Sequence, residues 1–371
     1  MRDEVILEDT TLRDGEQAAG LVFDSATKLK IFNLLQLAGV KWVEVGIPAM
    51  GGHELRSIEM IQERAGSTNV VAWNRGVKED VKQSLDLGFK AIHIGLPTSE
   101  KHLKHSINKD KAWLLKTSRD LVQYAKDRNA FVSISAEDIG RSEMSFVIDY
   151  GGVVCDAGAD RLRLSDTIGI LTPEKYHKIV KVINAAVSID LQCHAHNDFG
   201  LAVANTLAGL QAGARYFHAT VNAIGERAGM PDMAQCVLAL KCLYGKEIGI
   251  RLNQLPKISE LVEEATRQPL PPWQPVVGTN IFAHESGIHG KATISDSTTF
   301  EPFPPDLVGG TRRLVIGKHS GRAILEYHLR EAEIEPDTSR LSECLTKVRE
   351  AAHLKKRSLN SSDLIEIYQQ I

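Results

Sequence analysis

LQCHAHNDFGLAVAN, residues 191–205, is the stretch from which the fold is read. It begins as a strand and ends as an Ala-rich helix, with His194 and His196 two apart at the junction. Side chains at i and i+2 of a strand share a face, so both imidazoles can reach one metal ion. Asn197-Asp198-Phe199-Gly200 supplies the turn into the helix. Histidines at the C-terminal end of a strand, just ahead of a βα loop, stand where a parallel α/β barrel keeps its chemistry. Taken alone, the pair reads equally well as two half-buried histidines satisfied by backbone bonds.

Outward from this stretch, short β-like runs alternate with amphipathic helical ones. The expected strands are Val5–Glu8, Trp42–Val45, Val70–Trp73, Ala91–Ile94, Phe131–Ser135, Arg161–Leu164, Leu191–His194 and Tyr216–Val221. Helical patterns such as Ser25–Ala38 and Ala112–Lys126 lie between them, and Gly39, Gly88, Gly158 and Gly213 mark helix ends. Strands alternating with helices imply a parallel sheet. Eight units in about 250 residues match a closed (β/α)8 TIM barrel better than an open doubly wound sheet. The pattern changes near Lys257, and QPLPPWQP at 268–275 reads as a stiff linker. The expected division is a catalytic barrel over 1–256, then a linker and a C-terminal, mostly helical subdomain over 257–371.

Composition narrows the class. Of 371 residues 43% are hydrophobic and 25% charged, ordinary for a globular protein, and the formal net charge of -3 offers no bulk attraction to nucleic acid or anionic membrane. The apolar runs are strand length, short of the roughly 20 residues that cross a bilayer. Met1-Arg2-Asp3-Glu4 leads straight into a strand, so no signal peptide is expected. The five cysteines lack CxxC spacing and read as reduced thiols, which points to the cytoplasm. Cys193, between two residues aimed at the site, should point away from it.

Polar residues gather where the strands end, at Asp9 to Gly15, Glu44 to Pro48, Asn74-Arg75-Gly76, His93 to Gly95, Glu137-Asp138, Ser165-Asp166-Thr167, the pair His194 and His196, and Asn222 to Arg227. Several serve as helix caps, yet eight such ends on one barrel mouth also make an active site. Asp14, after the first strand, is the best carboxylate partner for His194 and His196. Two imidazoles and one carboxylate leave coordination positions open. A non-haem iron oxygenase uses the same set, though usually on a β-sandwich. No GxGxxG or P-loop follows a strand, so no nucleotide cofactor is expected.

The chain resembles the family of isopropylmalate, homocitrate and citramalate synthases, with 3-hydroxy-3-methylglutaryl-CoA lyase a more distant relative. The resemblance rests on Leu12-Arg13-Asp14-Gly15-Glu16-Gln17 with Lys28, on the CHAHND run, and on GERAG at Gly225–Gly229. It covers nearly the whole chain. It implies a divalent metal at the barrel mouth, held by Asp14, His194 and His196, with acetyl-CoA and a 2-oxo acid as substrates. The family often adds an Asn after GERAG; here Met230 stands there, and a thioether suits a hard ion poorly. Magnesium, manganese, zinc, iron and cobalt are not distinguished.

Carried over residue by residue, the resemblance makes Arg13 the group facing developing oxyanions and Glu137 an acid of the proton transfers. His284 and His289, in FAHESGIH at 282–289, match a subdomain motif that in relatives reaches the neighbouring subunit's barrel mouth, with His284 favoured as the base. That implies a homodimer. Thr167 matches a residue that binds the substrate carboxylate, Gln17, Glu44 and Arg75 are placed in the oxo-acid pocket, and Gly225, Glu226 and Arg227 on the acetyl-CoA side. The expected chemistry is a Claisen condensation with thioester hydrolysis.

Local wording at 70–75 and 284–289 resembles homocitrate synthases of the nitrogen-fixation type, which use 2-oxoglutarate. The absence of room for a long regulatory domain before Ile371 agrees with that. Lysine-pathway relatives grip the distal carboxylate with an Arg where this chain has Ser133, leaving Arg75, Arg141 and Arg163 as candidates. Without such a cation, pyruvate or 2-oxoisovalerate becomes the acceptor. A retro-Claisen lyase and a non-catalytic relative are the other classes; the lyases carry a catalytic Cys in a Gly-rich loop, and this chain has none there.

Overall fold

Each expected strand forms in the computed structural model, which describes all 371 residues. They are β1 (Ile6–Asp9), β2 (Trp42–Gly46), β3 (Asn69–Arg75), β4 (Ala91–Gly95), β5 (Phe131–Glu137), β6 (Arg161–Asp166), β7 (Asp190–Ala195) and β8 (Tyr216–Ala219). All pair in parallel with their sequence neighbours, and β1 closes the barrel on β8, Ile6 opposite Tyr216 and Asp9 opposite Ala219. Strands β3, β5 and β6 run on through Arg75, Glu137 and Asp166, so the polar ends stay in the ladder. β8 instead stops at Ala219 rather than Val221, because Asn222 and Ala223 take left-handed backbone (φ 58° and 57°) and turn the chain.

Around the barrel lie α1 (Ser25–Ala38), α2 (Gly52–Gln62), α3 (Lys78–Asp86), α4 (Glu100–His105), α5 (Lys111–Lys126), α6 (Met144–Asp156), α7 (Pro173–Ala186), α8 (Ala202–Gln211), α9 (Met233–Tyr244) and α10 (Leu255–Thr266). α1 shows why these segments are helices. The Asp24 carboxylate accepts from Thr27 N–H at 2.7 Å, Ile31, Phe32 and Leu35 bury one face, and Gly39 ends it at φ 92°. The first compact unit is Met1–Pro269 and includes α10, which packs on α1.

A TIM-barrel interior is usually filled by branched apolar side chains. Here Glu8, Glu44, His93, Ser133, Arg161, Arg163, Gln192 and His218 are all buried inside it. At the floor the Arg161 guanidinium lies 5.3, 5.3 and 4.6 Å from the ring centres of Trp42, Phe131 and Tyr216. It also stands 2.6 Å from Glu8. Three aromatic faces and one carboxylate offset the cost of burying that cation.

The second unit, Leu270–Ile371, has two short parallel strands, β9 (Ala283–His284) and β10 (Arg313–Leu314). Its helices are α11 (Gly287–Ser295), α12 (Arg322–Glu331), α13 (Leu341–Lys355) and α14 (Ser361–Gln369). Ile324, Leu325, Leu329, Leu341, Val348 and Leu364 form a core of their own. No helix of the chain is long and apolar enough to cross a membrane.

Candidate active site

The turn after β1 sets the first half of the site. Asp9 accepts from Thr11 N–H and Oγ1 at 2.9 Å each, and Arg13 and Gly15 donate their N–H groups to Thr10 O. This folds Arg13 and Asp14 over the barrel mouth. At the end of β7, His194 and His196 share a face as the i, i+2 spacing requires, and His194 Nε2 is 3.7 Å from Asp14 Oδ2 and 3.4 Å from His196 Nε2.

This donor set fits a divalent cation. Nitrogens at the corners of a tetrahedron with bonds of about 2.1 Å stand about 3.4 Å apart, as the two Nε2 atoms do. Asp14 Oδ1 is buried without a hydrogen-bond partner, and one ligand atom from each of Asp14, His194 and His196 fits within 4.8 Å of the others. Burial holds the His194 pKa well below its usual value, so the ring is neutral, the form that ligates.

The three residues open into a cavity of about 190 Å³ whose walls also include Arg13, Gln17, Trp73, Glu137, Arg163, Ser165, Thr167, Glu226 and Arg227. Arg13 donates from Nε to Glu44 Oε2 at 2.5 Å and from Nη1 to Asp14 Oδ2 at 2.8 Å and Gln17 Oε1 at 3.2 Å. Glu137 faces Arg13 across the cavity, and burial raises its pKa although Ser135, Arg13 and Arg163 work against the shift. Thr167 Oγ1 accepts from Asp138 N–H at 2.8 Å and donates to Ser165 O over a long 3.5 Å. Arg227 is clamped by both oxygens of Asp198 and donates to Thr167 O at 2.7 Å, beside the turn that Gly225 begins.

Other expected residues lie elsewhere. Glu44 is fully buried beneath Arg13, with its oxygens taken by Arg13, Thr10 and Arg163, so it does not line the cavity. Arg75 is mostly exposed, paired through two nitrogens with Asp80, and lines a neighbouring cavity. Arg141 is held by Asp138. Of the three candidate cations for a distal carboxylate, Arg163 alone lines the site cavity. Its Nη2 donates to Glu44 at 2.7 Å and Glu8 at 3.2 Å and its Nε to Gln192 at 2.9 Å, while Nη1 makes no hydrogen bond. Cys193 points away, as expected, packed near Tyr176 and Gly209 with its thiol pushed up to about 12 by burial. Met230 is fully buried.

In the second unit, His284 is buried with Nε2 3.3 Å from Glu301, which Arg312 holds at 2.5 and 2.6 Å. His284 Nδ1 makes no hydrogen bond. His289 is exposed and stacked on Phe300, ring centres 3.9 Å apart.

The sequence reading missed Glu8, Trp73 and His218, and placed His93 at the mouth whereas it is buried inside the barrel, bonded to Ser133. The spacing of Arg161 and Arg163, two apart in a strand like the histidines, was the signal that the barrel interior is charged.

The family described as HMGL-like matches residues 4–262, and the one described as homocitrate synthase post-HMGL domain-like matches residues 276–356. The chain belongs to the HMGL-like family. It is an acyltransferase of the homocitrate synthase-like kind. Among HMGL-like relatives, a 2-phosphonomethylmalate synthase of Streptomyces rubellomurinus is 57% identical over 99% of each chain. A 2-isopropylmalate synthase of Caldanaerobacter subterraneus is 42% identical over 99% of this chain and 96% of its own. A homocitrate synthase of Nostoc is 39% identical over 99% and 98%. The HMG-CoA lyase of Bacillus subtilis, at 20% identity and TM-score 0.65 over 73% of this chain and 96% of its own, shares the barrel fold.

Proposed function

We propose that the chain condenses acetyl-CoA with a 2-oxo acid that carries a second anionic group, then hydrolyses the thioester to release CoA. The observation that carries this is the convergence of Asp14, His194, His196, Arg13, Glu137 and Arg163 on one small cavity. Asp14, His194 and His196 would hold a divalent ion, which supplies Lewis-acid polarisation of the acceptor carbonyl.

The chain's own groups do the rest. Arg13, always charged and fixed by Glu44 and Asp14, faces the oxygen that gains negative charge as the new carbon–carbon bond forms. The Thr167 hydroxyl orients the carboxylate next to the carbonyl, and Gln17 lies beside it. Glu137, whose carboxyl burial raises above its ordinary value, hands protons to and from reacting oxygens. His284, with Nε2 held by Glu301 and Nδ1 free, is the base for the acetyl methyl proton, in preference to the stacked His289. Glu226 and Arg227 border the acetyl-CoA side.

Arg163 argues for the distal anion. Arg163 lines the cavity and its Nη1 makes no hydrogen bond within the chain, so a monoanionic acceptor would leave it unpaired there, at a cost. Removing an acetyl unit from 2-phosphonomethylmalate leaves 3-phosphonopyruvate, and removing one from homocitrate leaves 2-oxoglutarate. Both end in an anion. The higher similarity to the phosphonomethylmalate synthase makes 3-phosphonopyruvate the first acceptor to try. 2-Oxoglutarate, which the nitrogen-fixation-type reading calls for, is the second.

The test follows CoA release with a thiol reagent, with divalent metal and with chelator. The panel is 3-phosphonopyruvate, oxaloacetate, 2-oxoglutarate, 2-oxoisovalerate and pyruvate. Metal-dependent release with an acidic acceptor is expected, and preference for 2-oxoisovalerate or pyruvate would overturn the distal-anion reading. Light scattering on the eluting protein tests the homodimer.

A further inference from the structure

Behind the ligand histidines lie two fully buried groups that the reaction above does not use, His218 on β8 and Glu8 on β1. His218 Nε2 is 2.8 Å from Glu8 Oε1, and His218 Nδ1 is 2.8 Å from His194 Nδ1. Two ring nitrogens at that distance share one hydrogen, so one donates and the other accepts.

The far end of the chain decides which. Burial alone would raise the Glu8 pKa, but Arg161, the His218 bond and Arg163 bring it down to about 2, so Glu8 is a carboxylate and only accepts. His218 Nε2 therefore carries hydrogen. His218 is fully enclosed between Glu8 and His194, and Glu8 already faces two guanidinium groups, Arg161 at 2.6 Å and Arg163 at 3.2 Å, so the ring carries the one hydrogen it gives to Glu8 and its Nδ1 is a lone pair. His194 Nδ1 must then be the donor. That leaves a lone pair on His194 Nε2, the nitrogen facing Asp14 and His196.

We propose that Glu8 and His218 are positioning residues that lock His194 in its Nδ1–H tautomer and so present Nε2 to a divalent cation. The opposite tautomer would place hydrogen on Nε2, where it would bond to Asp14 and close the site. A ligand histidine commonly gives its second N–H directly to a carboxylate or carbonyl. Here a second imidazole is interposed, and it transmits the orientation only while Glu8 stays an acceptor. The proposal rests on the metal reading of the preceding subsection, so its test separates the two.

Full-length protein, stripped of metal and labelled with 15N-histidine, gives the tautomer of His194 from two-bond 1H–15N spectra, without activity. Its affinity for Co²⁺ and Zn²⁺ follows from competition with a chromophoric chelator. Hydrogen on His194 Nδ1 is expected in the wild type. His218→Leu removes the acceptor and should weaken metal binding by about 10–100-fold. Glu8→Gln, whose amide can present either face, should give mixed tautomers and an intermediate loss. His218→Gln keeps an acceptor oxygen for His194 and a donor for Glu8, and should restore affinity to within about threefold, which a merely space-filling role for His218 would not require. Should a substituted chain fail to fold, the wild-type spectrum still decides: hydrogen on His194 Nε2 overturns the proposal. Unchanged metal affinity in folded His218→Leu does so as well. A wild-type chain that binds no divalent ion overturns the metal reading, and with it the purpose assigned to the lock, whatever the tautomer.

Discussion

Arg163 and Asp9 show how much one buried charge can decide. Arg163→Gln keeps a donor near Gln192 but removes the cation from the cavity. Hydrogen bonds to charged groups contribute about 1.5–3 kcal/mol, so kcat/KM for an acidic acceptor should fall by roughly 10–100-fold, with pyruvate turnover changed far less. Steady-state kinetics on both acceptors check it, and an equal loss on both would assign Arg163 to scaffolding. Asp9 makes a prediction about pH. Burial pushes its carboxyl up to about 7 despite the two Thr11 bonds, whereas an unfolded aspartate titrates near ~3.9. The folded chain thus holds a proton that the unfolded chain releases. The resulting stability is complete below about pH 4 and is lost as pH rises through 7, by at most about 1.4 kcal/mol per pH unit. Urea unfolding of wild type and Asp9→Asn between pH 4 and 8 should show the wild type losing stability relative to the variant as pH rises. A constant gap would mean that Asp9 is ionised throughout. At this scale the sequence disclosed the residues whose spacing is itself chemical, such as His194 with His196 and Asp14 in its Leu-Arg-Asp-Gly setting. It hid Glu8 and His218, because a lone polar residue in a strand reads as solvent-facing until the barrel closes around it.

Strand β7 and helix α8 show how an element carries a site. Tyr176 on α7 bridges β6 and β7, donating to Leu164 O at 2.7 Å and accepting from His194 N–H at 3.1 Å. α8 lies against this bridge at Gly209, where an added Cβ would fall 2.4 Å from Cys193 Sγ and 2.8 Å from the Tyr176 ring. Gly209→Ala should therefore cost about 1–3 kcal/mol by overpacking, despite alanine's better helix propensity. It should also weaken metal binding, because relief comes by moving the strand that holds His194. Thermal unfolding and chelator competition measure the two effects, and a stabilised variant with intact affinity would contradict this packing. The elements themselves were legible because each is amphipathic at its own period. α1 was found with its ends, since Asp24 and Gly39 mark both. The end of β8 was not, because the left-handed turn at Asn222 and Ala223 involves residues that carry no such mark.

The molecule is two units, each with its own core, and the chemistry proposed above draws on both. A chain ending at Pro269 should fold, bind a divalent ion and yet release no CoA, because it lacks His284. Circular dichroism, chelator competition and the thiol assay test the three parts, and turnover by the shortened chain would remove His284 from the reaction. The barrel was legible as a whole because only a closed sheet accommodates eight strand–helix units of this length. The charged filling of its interior was not read, since the branched apolar packing usual in such barrels outweighs its one signal, Arg161 and Arg163 two apart in a strand.

Because Arg161 stoppers the floor between Trp42, Phe131 and Tyr216, traffic has a single door. An acceptor whose far end rests on Arg163 sits deeper than the carbon that meets the acetyl group, so the two substrates form a queue, with the acceptor first in and CoA first out. A non-reactive thioether analogue of acetyl-CoA should then inhibit uncompetitively toward the acceptor, since it has nothing to bind until the deeper place is taken.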